Sequence, residues 1–142
     1  MEVSNIKNKI EKLQEYVEKL SPYATMETDI LLSNEEKRAA MERWFLLLVD
    51  EAVDINAVIS YQIGKKIPDS YRSSFEGLVE LGIIDRDFSD NISVSAKVRN
   101  QMTHDYEKIQ HKELIELMKK FFEMYKKYTR ILIEEFINRS QS

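Results

Sequence analysis

Apolar side chains recur at steps of three and four residues along much of the chain, which is the spacing of one face of an α-helix. The first series of this kind is Val3, Ile6, Ile10, Leu13, Val17 and Leu20. The 142 residues include three Gly and two Pro, so few positions favour turns or interrupt helices. We therefore predict an all-α chain that folds as one domain over residues 1–142.

Capping and helix-breaking residues indicate where the first two long helices begin and end. The residue before Pro22 is disfavoured in the α region, so the first helix is expected to be interrupted there and to resume as a short second piece. Ser33 and Glu36 fit a capping box, in which the two side chains satisfy free amides at a helix start. The helix that follows is expected to run to about Gln62 and to stop at Gly64.

Two short helices and a third long helix are predicted in the second half of the chain. Ser70 can cap the first short helix, which Gly82 terminates, and Asp85 can begin the second. The last long helix is predicted from about His111 to Asn138. Three long and two short amphipathic helices make a helical bundle.

The composition excludes several classes of protein. A formal net charge of −4 argues against a broad electrostatic grip on nucleic acid, although it leaves room for a local basic cleft, and no DNA partner is expected. The chain has no Cys, no Gly-rich phosphate loop and no zinc ligand set, so neither a metal nor a cofactor is expected. The longest apolar run, WFLLLV, is too short to cross a membrane. We therefore expect a cytoplasmic protein.

The segment at residues 98–109, VRNQMTHDYEKI, stands out from a chain dominated by Lys, Glu and Leu/Ile. It combines four residues of functional interest, which are Arg99, Asn100, His104 and Tyr106. At about 100° per residue, Arg99 and His104 would point about 140° apart on a continuous helix. If all four side chains converge, the helix must end near Met102 or Thr103. The segment is interpreted as a helix-to-loop junction.

Arginine and histidine without a metal suggest cleavage of a phosphodiester through a ribose 2′-hydroxyl. Arginine binds phosphate oxygens with a rigid fork, and histidine can move protons near neutral pH. The reaction needs both a base and an acid, and a two-fold dimer could supply the second histidine. The simpler alternative is that both residues interact with the last carbonyls of a helix.

A polar line on the second long helix allows two interpretations. Its members are spaced by seven, four and seven residues, and they are Arg43, Asp50, Asp54 and Tyr61. This spacing keeps them within roughly 20° of one meridian of the helix. The line is either a solvated face or the wall of a polar cleft, and a position opposite Arg99 and His104 would favour the cleft.

Three blocks of sequence resemble the HEPN superfamily, and in particular its HepT-like toxins. The motif R-N-x-x-x-H-x-Y resembles the family signature. The segment ERWFLLLVDEAVDIN resembles the family's Glu-Arg start with Asp-Ile further on, and IPDSYRSSFEGLVELGII resembles its Pro, Ser-Tyr, Phe and Leu-Gly stretch. The matching positions outside the motif are Glu42, Arg43, Asp54, Ile55, Pro68, Ser70, Tyr71, Phe75, Leu81 and Gly82.

This resemblance implies the toxin of a type VII-like toxin–antitoxin pair. Such proteins are all-α homodimers that act as metal-independent ribonucleases on RNA such as tRNA or mRNA, with both motifs lining a shared cleft. By resemblance, Arg99 and His104 would be the catalytic pair. The supporting residues would be Asn100, Asp54 and Arg43.

The resemblance also implies a partner and a means of inactivation. The antitoxin of such a pair is a minimal nucleotidyltransferase that transfers AMP from ATP to the motif tyrosine, here Tyr106. Phosphate charge beside the Arg and His would obstruct an RNA phosphate. The alternative function is a non-enzymatic helical module that forms a complex with the nucleotidyltransferase and carries Tyr106 only as a modification target.

Overall fold

The computed structural model describes residues 2–70 and 73–139, and its regular elements over this part of the chain are all helical. The α-helices are α1 (Glu2–Ala24), α2 (Thr28–Leu32), α3 (Glu35–Gln62), α4 (Ser74–Glu80), α5 (Arg86–Ile92), α6 (Val94–His104) and α7 (His111–Ile133). A 3-10 turn at Tyr106–Lys108 follows α6, and a π-helical turn at Glu134–Asn138 follows α7. The all-α prediction is confirmed. Within the described residues, no helix is long and apolar enough to cross a membrane.

The three long helices form the body of the bundle, with α1 packed against both α3 and α7. Their apolar faces meet in one core, where the rings of Phe45 on α3 and Phe121 on α7 lie 6.1 Å apart. The completely buried residues of this core include Ile10, Leu13, Leu20, Met41, Phe45, Leu48, Ala52, Ile55 and Ile59. Burial of this continuous apolar surface is the main force that holds the helices together.

The first helix boundaries differ from the sequence-based expectation. Pro22 lies inside α1, and the break comes later, between Ala24 and Thr28. A proline close to a helix end costs little, because only the last turn loses a backbone hydrogen bond. The cap of α3 is Asn34 rather than Ser33, since the Asn34 side chain accepts a hydrogen bond of 3.0 Å from the Lys37 amide. The Ser33 hydroxyl instead donates to the Ile30 carbonyl oxygen at the end of α2.

The short helices follow the expected order, but the one expected to run from Asp85 to the motif is divided at Ser93 into α5 and α6. The α4 helix begins at Ser74 rather than directly after Ser70, and the Ser70 hydroxyl accepts a hydrogen bond of 3.1 Å from the Ser73 amide. Tyr71 and Arg72, which were expected in this helix, lie outside the described residues. Gly82 adopts a φ of 75° after α4, the left-handed conformation in which a glycine commonly ends a helix. Asp85 caps α5 through the Phe88 amide, which confirms that prediction.

Buried hydrogen bonds join α6, α7, α3 and α4. The Ser95 hydroxyl on α6 lies 2.7 Å from the Tyr125 hydroxyl on α7, and both residues are completely buried. One turn along α7, the Tyr128 hydroxyl donates to Asn56 Oδ1 on α3 at 2.5 Å, and Asn56 Nδ2 donates to the Ser74 hydroxyl on α4 at 3.2 Å. Four helices are thus joined through polar groups that lack access to water.

We expect Tyr128→Phe to lower the free energy of unfolding by about 1–3 kcal/mol, because it leaves the buried Asn56 oxygen without its donor. Urea unfolding monitored by circular dichroism measures this change. The matched control is Tyr16→Phe, since the half-buried Tyr16 hydroxyl forms no hydrogen bond within the described residues. Equal stability of Tyr128→Phe and the wild type would contradict the role given to this network.

Candidate active site

Arg99 is held by a carboxylate from another helix. It lies on α6 one turn after the buried Ser95, and its Nε donates to Asp50 Oδ1 on α3 at 2.8 Å while its Nη2 lies 3.3 Å from Oδ2. The Arg99 side chain is 21% exposed and that of Asp50 is 38% exposed. Two parallel contacts fix the plane of the guanidinium group as well as its position. An ion pair with this much exposure contributes little to stability, so its main effect is orientation.

The polar line on α3 does not act as one surface. Asp50 faces Arg99, but Asp54 contacts Lys9 on α1 through a short ion pair. Arg43 and Tyr61 are exposed, and no hydrogen bond or ion pair holds Arg43 within the described residues. One member of the line therefore reaches the motif, and Asp54 is directed towards α1.

His104 is exposed in the last turn of α6, and no hydrogen bond holds its ring within the part of the chain described. The helix does not end at Met102 or Thr103, as convergence within one chain would require. Thr103 is helical, with its hydroxyl donating to the Asn100 carbonyl oxygen at 3.0 Å, and Asp105 is the residue that leaves the helix. Arg99 and His104 consequently point about 140° apart. The helix-to-loop junction is present, but it begins after His104.

Asn100 and Tyr106 extend the motif in different directions. Asn100 is exposed, and its Oδ1 lies 3.5 Å from Arg99 Nη1, which is a weak contact. Tyr106 begins the 3-10 turn after α6 and is 39% exposed. Its hydroxyl donates to Glu42 Oε2 on α3 at 3.1 Å.

The contact between Tyr106 and Glu42 changes the acidity of both groups. Burial raises the pKa of the Glu42 carboxyl, while the hydrogen bond from Tyr106 and the nearby His111 and Arg38 act in the opposite sense. Burial also raises the pKa of the Tyr106 phenol, and the negative charge of Glu42 raises it further. Both groups therefore keep their protons to a higher pH than they would in water.

The sequence did not identify the two carboxylates that contact the motif. Asp50 lies 49 residues before Arg99, and Glu42 lies 64 residues before Tyr106, so no local spacing links either pair. Asp50 appeared as a member of the polar line and Glu42 as part of the resemblance, but neither was expected to be a site residue. Within residues 2–70 and 73–139, no group of three or more His, Asp or Glu side chains is arranged to hold a metal ion.

Comparisons with known sequences point to one family. The family model for HepT-like proteins, described as ribonuclease HepT-like, matches residues 6–132. The chain is 27% identical over 128 residues to the tRNA nuclease HepT of Aphanizomenon flos-aquae (strain 2012/KM1/D3), which covers 88% of this chain and 85% of that protein. It is also 34% identical over 70 residues to a putative RNase of Archaeoglobus fulgidus, covering 49% of this chain and 52% of the relative.

Solved structures share the fold at low sequence identity. A tri-AMPylated Shewanella oneidensis HEPN toxin in complex with MNT antitoxin is similar with a TM-score of 0.78 and 20% identity, covering 89% of this chain and 95% of that one. A toxin–antitoxin structure with AMP-PNP is similar with a TM-score of 0.78 and 19% identity, covering 89% and 96%. These likenesses confirm the HEPN-like helical fold expected from the sequence.

We expect Glu42→Gln to raise the free energy of unfolding at neutral pH, by at most about 1 kcal/mol because the side chain is half-exposed to solvent. The pKa of Glu42 is raised above its ordinary value of 4.5, so the folded protein binds more protons than the unfolded chain between that value and the raised one. The free energy of unfolding of the wild type therefore falls as pH rises through this window. Below about pH 4.5 the gain from Glu42→Gln is expected to disappear.

Urea unfolding at several pH values measures this difference. The matched control is Glu107→Gln, because Glu107 is exposed in the same 3-10 turn as Tyr106 and forms no hydrogen bond within the described residues. If Glu42→Gln instead lowers the free energy of unfolding, and lowers it more at neutral pH than in acid, the result would contradict the raised pKa of Glu42.

Proposed function

The chain belongs to the HepT-like ribonuclease family, whose model matches residues 6–132, and we propose that it is the ribonuclease toxin of a type VII-like toxin–antitoxin pair. The substrate is RNA, and tRNA is the first candidate because the Aphanizomenon flos-aquae relative is a tRNA nuclease. The observation that carries the proposal is the position of the Arg99 guanidinium. Asp50 on α3 holds it in a fixed plane, and Arg99 lies on the same helix, α6, as the exposed His104. No metal ion takes part in the proposed reaction.

Arg99 and His104 supply the chemistry that RNA cleavage requires. The ribose 2′-hydroxyl attacks the adjacent phosphorus atom, and a histidine accepts its proton. Arg99 stabilises the negative charge that develops on the phosphate oxygens. The bond from phosphorus to the 5′-oxygen breaks, and a protonated histidine donates a proton to that oxygen. The products are a 2′,3′-cyclic phosphate and a 5′-hydroxyl end.

The active site is composed of two chains in this proposal. Arg99 and His104 point about 140° apart on one α6 helix, so a single chain does not direct both at one phosphate. A two-fold homodimer that faces two α6 ends towards each other supplies both an arginine and a histidine to one cleft, and it provides the acid and the base together. Asn100 supports Arg99 from the adjacent position. Asp54 and Arg43 are proposed to support the cleft from α3.

A nucleotidyltransferase antitoxin neutralises the chain by transferring AMP from ATP to Tyr106. Support comes from the similar Shewanella oneidensis toxin, which is tri-AMPylated and in complex with MNT antitoxin. Tyr106 is exposed and lies two residues after His104, so an adduct on its hydroxyl brings negative charge and bulk to the end of α6. An RNA phosphate is then repelled from the place where it would react.

Two observations favour the non-enzymatic alternative. Asp50 engages two of the Arg99 donors, and the chain has a net charge of −4, so attraction of RNA is weaker than for a basic protein. A chain that only bound the nucleotidyltransferase would keep the fold and the modified Tyr106 without cleaving RNA.

We expect the purified, unmodified chain to cleave tRNA or total RNA in EDTA, and to leave 2′,3′-cyclic phosphate ends. Arg99→Ala and His104→Ala should each lower the cleavage rate by about 100-fold or more, because each removes a group that acts in the transition state. Intact mass before the assay shows that Tyr106 carries no adduct.

The control variant is Arg86→Ala, because Arg86 is exposed on α5 and its ion pair with Glu76 is long, at 3.9 Å. It should cleave as the wild type does. Absence of cleavage by a folded, unmodified wild-type chain would favour the binding module. Cleavage that survives in both motif variants would place the active site elsewhere.

A further inference from the structure

The Tyr106 hydroxyl has a proton acceptor already in place. Glu42 belongs to α3 and Tyr106 to the turn after α6, and the hydroxyl donates to Glu42 Oε2 at 3.1 Å. Glu42 is half-buried and Tyr106 is 39% exposed, so the tyrosine is the more accessible residue of the pair.

The surroundings keep Tyr106 protonated until it reacts. The charged groups that face this pair are Arg38 and Glu35 on α3 and His111 at the start of α7, whose ring lies 6.1 Å from the Tyr106 ring. Together with burial, the negative charge of Glu42 raises the pKa of the phenol, so a phenolate is not available near neutral pH. The proton must then leave during the reaction, and a base within hydrogen-bond distance is needed to accept it.

We propose that Glu42 is a catalytic residue of AMP transfer, which positions the Tyr106 hydroxyl and accepts its proton. This inference rests on the proposed modification of Tyr106. The Tyr106 oxygen attacks the α-phosphorus of ATP, a bond forms between that oxygen and phosphorus, and the bond from phosphorus to the pyrophosphate oxygen breaks. The phenolic proton moves to Glu42 Oε2, and pyrophosphate leaves with its electron pair. The modified chain thus contributes a reacting group to its own inactivation.

A purely structural role would not need a carboxylate at this position. A glutamine side chain also presents an oxygen that accepts a hydrogen bond from a phenol, and it carries no charge to desolvate. Burial raises the pKa of Glu42, which means that ionised Glu42 costs stability where it lies. Groups that cost stability are often retained for function.

The test measures AMP transfer to the purified chain by its MNT nucleotidyltransferase, with Mg²⁺ and ATP labelled at the α-phosphate. The variants are Glu42→Gln, Glu42→Asp, Tyr106→Phe and the control Glu107→Gln. We expect Glu42→Gln to lower kcat by about 100-fold with little change in the KM for ATP, because the proton acceptor is lost and the nucleotide site is not. Glu42→Asp should recover part of the rate, and Glu107→Gln should match the wild type.

The dependence of kcat on pH separates proton transfer from packing. The wild-type rate should fall in acid as Glu42 becomes protonated, and Glu42→Gln should lose this dependence. A rate for Glu42→Gln within threefold of the wild type would overturn the inference. The inference would also be overturned if Glu42→Gln and Glu42→Asp lowered kcat equally and both kept the wild-type dependence of kcat on pH. If the wild-type chain accepts no AMP on Tyr106, the proposed modification itself fails, which is a different result from either of these.

Discussion

The α6 helix continues without a break through both Arg99 and His104, and this continuity limits what one chain can do. Five residues of α-helix rotate a side chain by about 140°, so the two residues cannot be aimed at one phosphate from a single helix. Thr103 remains helical, and Asp105 ends the helix one residue after His104. The two-chain active site that we propose follows from this geometry.

Different parts of the structure hold the motif with different strengths. The buried contact of Ser95 with Tyr125 fixes α6 on α7, where loss of a partner is costly because water cannot replace it. The contacts made by Arg99 and Tyr106 are more exposed and contribute little to stability, but they set the direction of the groups that would react. Both groups contact carboxylates of α3, so one long helix orients the proposed catalytic arginine and the proposed modified tyrosine.

The sequence predicted the helices better than the contacts between them. Periodicity located the three long helices, and Asp85 and Gly82 marked real boundaries because capping and positive φ are local properties. The errors at Pro22 and Ser33 are also local, since a helix tolerates proline near its end and a neighbouring Asn34 competes as the cap. The partners of the motif depend on how α3 packs beside α6, which no short spacing encodes. The sequence itself singled out the motif residues, and the resemblance supplied their roles, which stay predictions.

The most direct test of the shared active site combines two inactive chains. Arg99→Ala and His104→Ala are co-expressed with different tags, and the mixed dimer is purified through both tags and assayed for RNA cleavage. The mixed dimer keeps one Arg99 and one His104, and these lie on different chains. If Arg99 of one chain works with His104 of its partner, this dimer should cleave RNA faster than a mixed dimer of the wild type with the Arg99→Ala/His104→Ala double variant, which keeps the same two residues on one chain. Equal rates for the two mixed dimers, when the wild-type dimer cleaves RNA, would contradict the two-chain site.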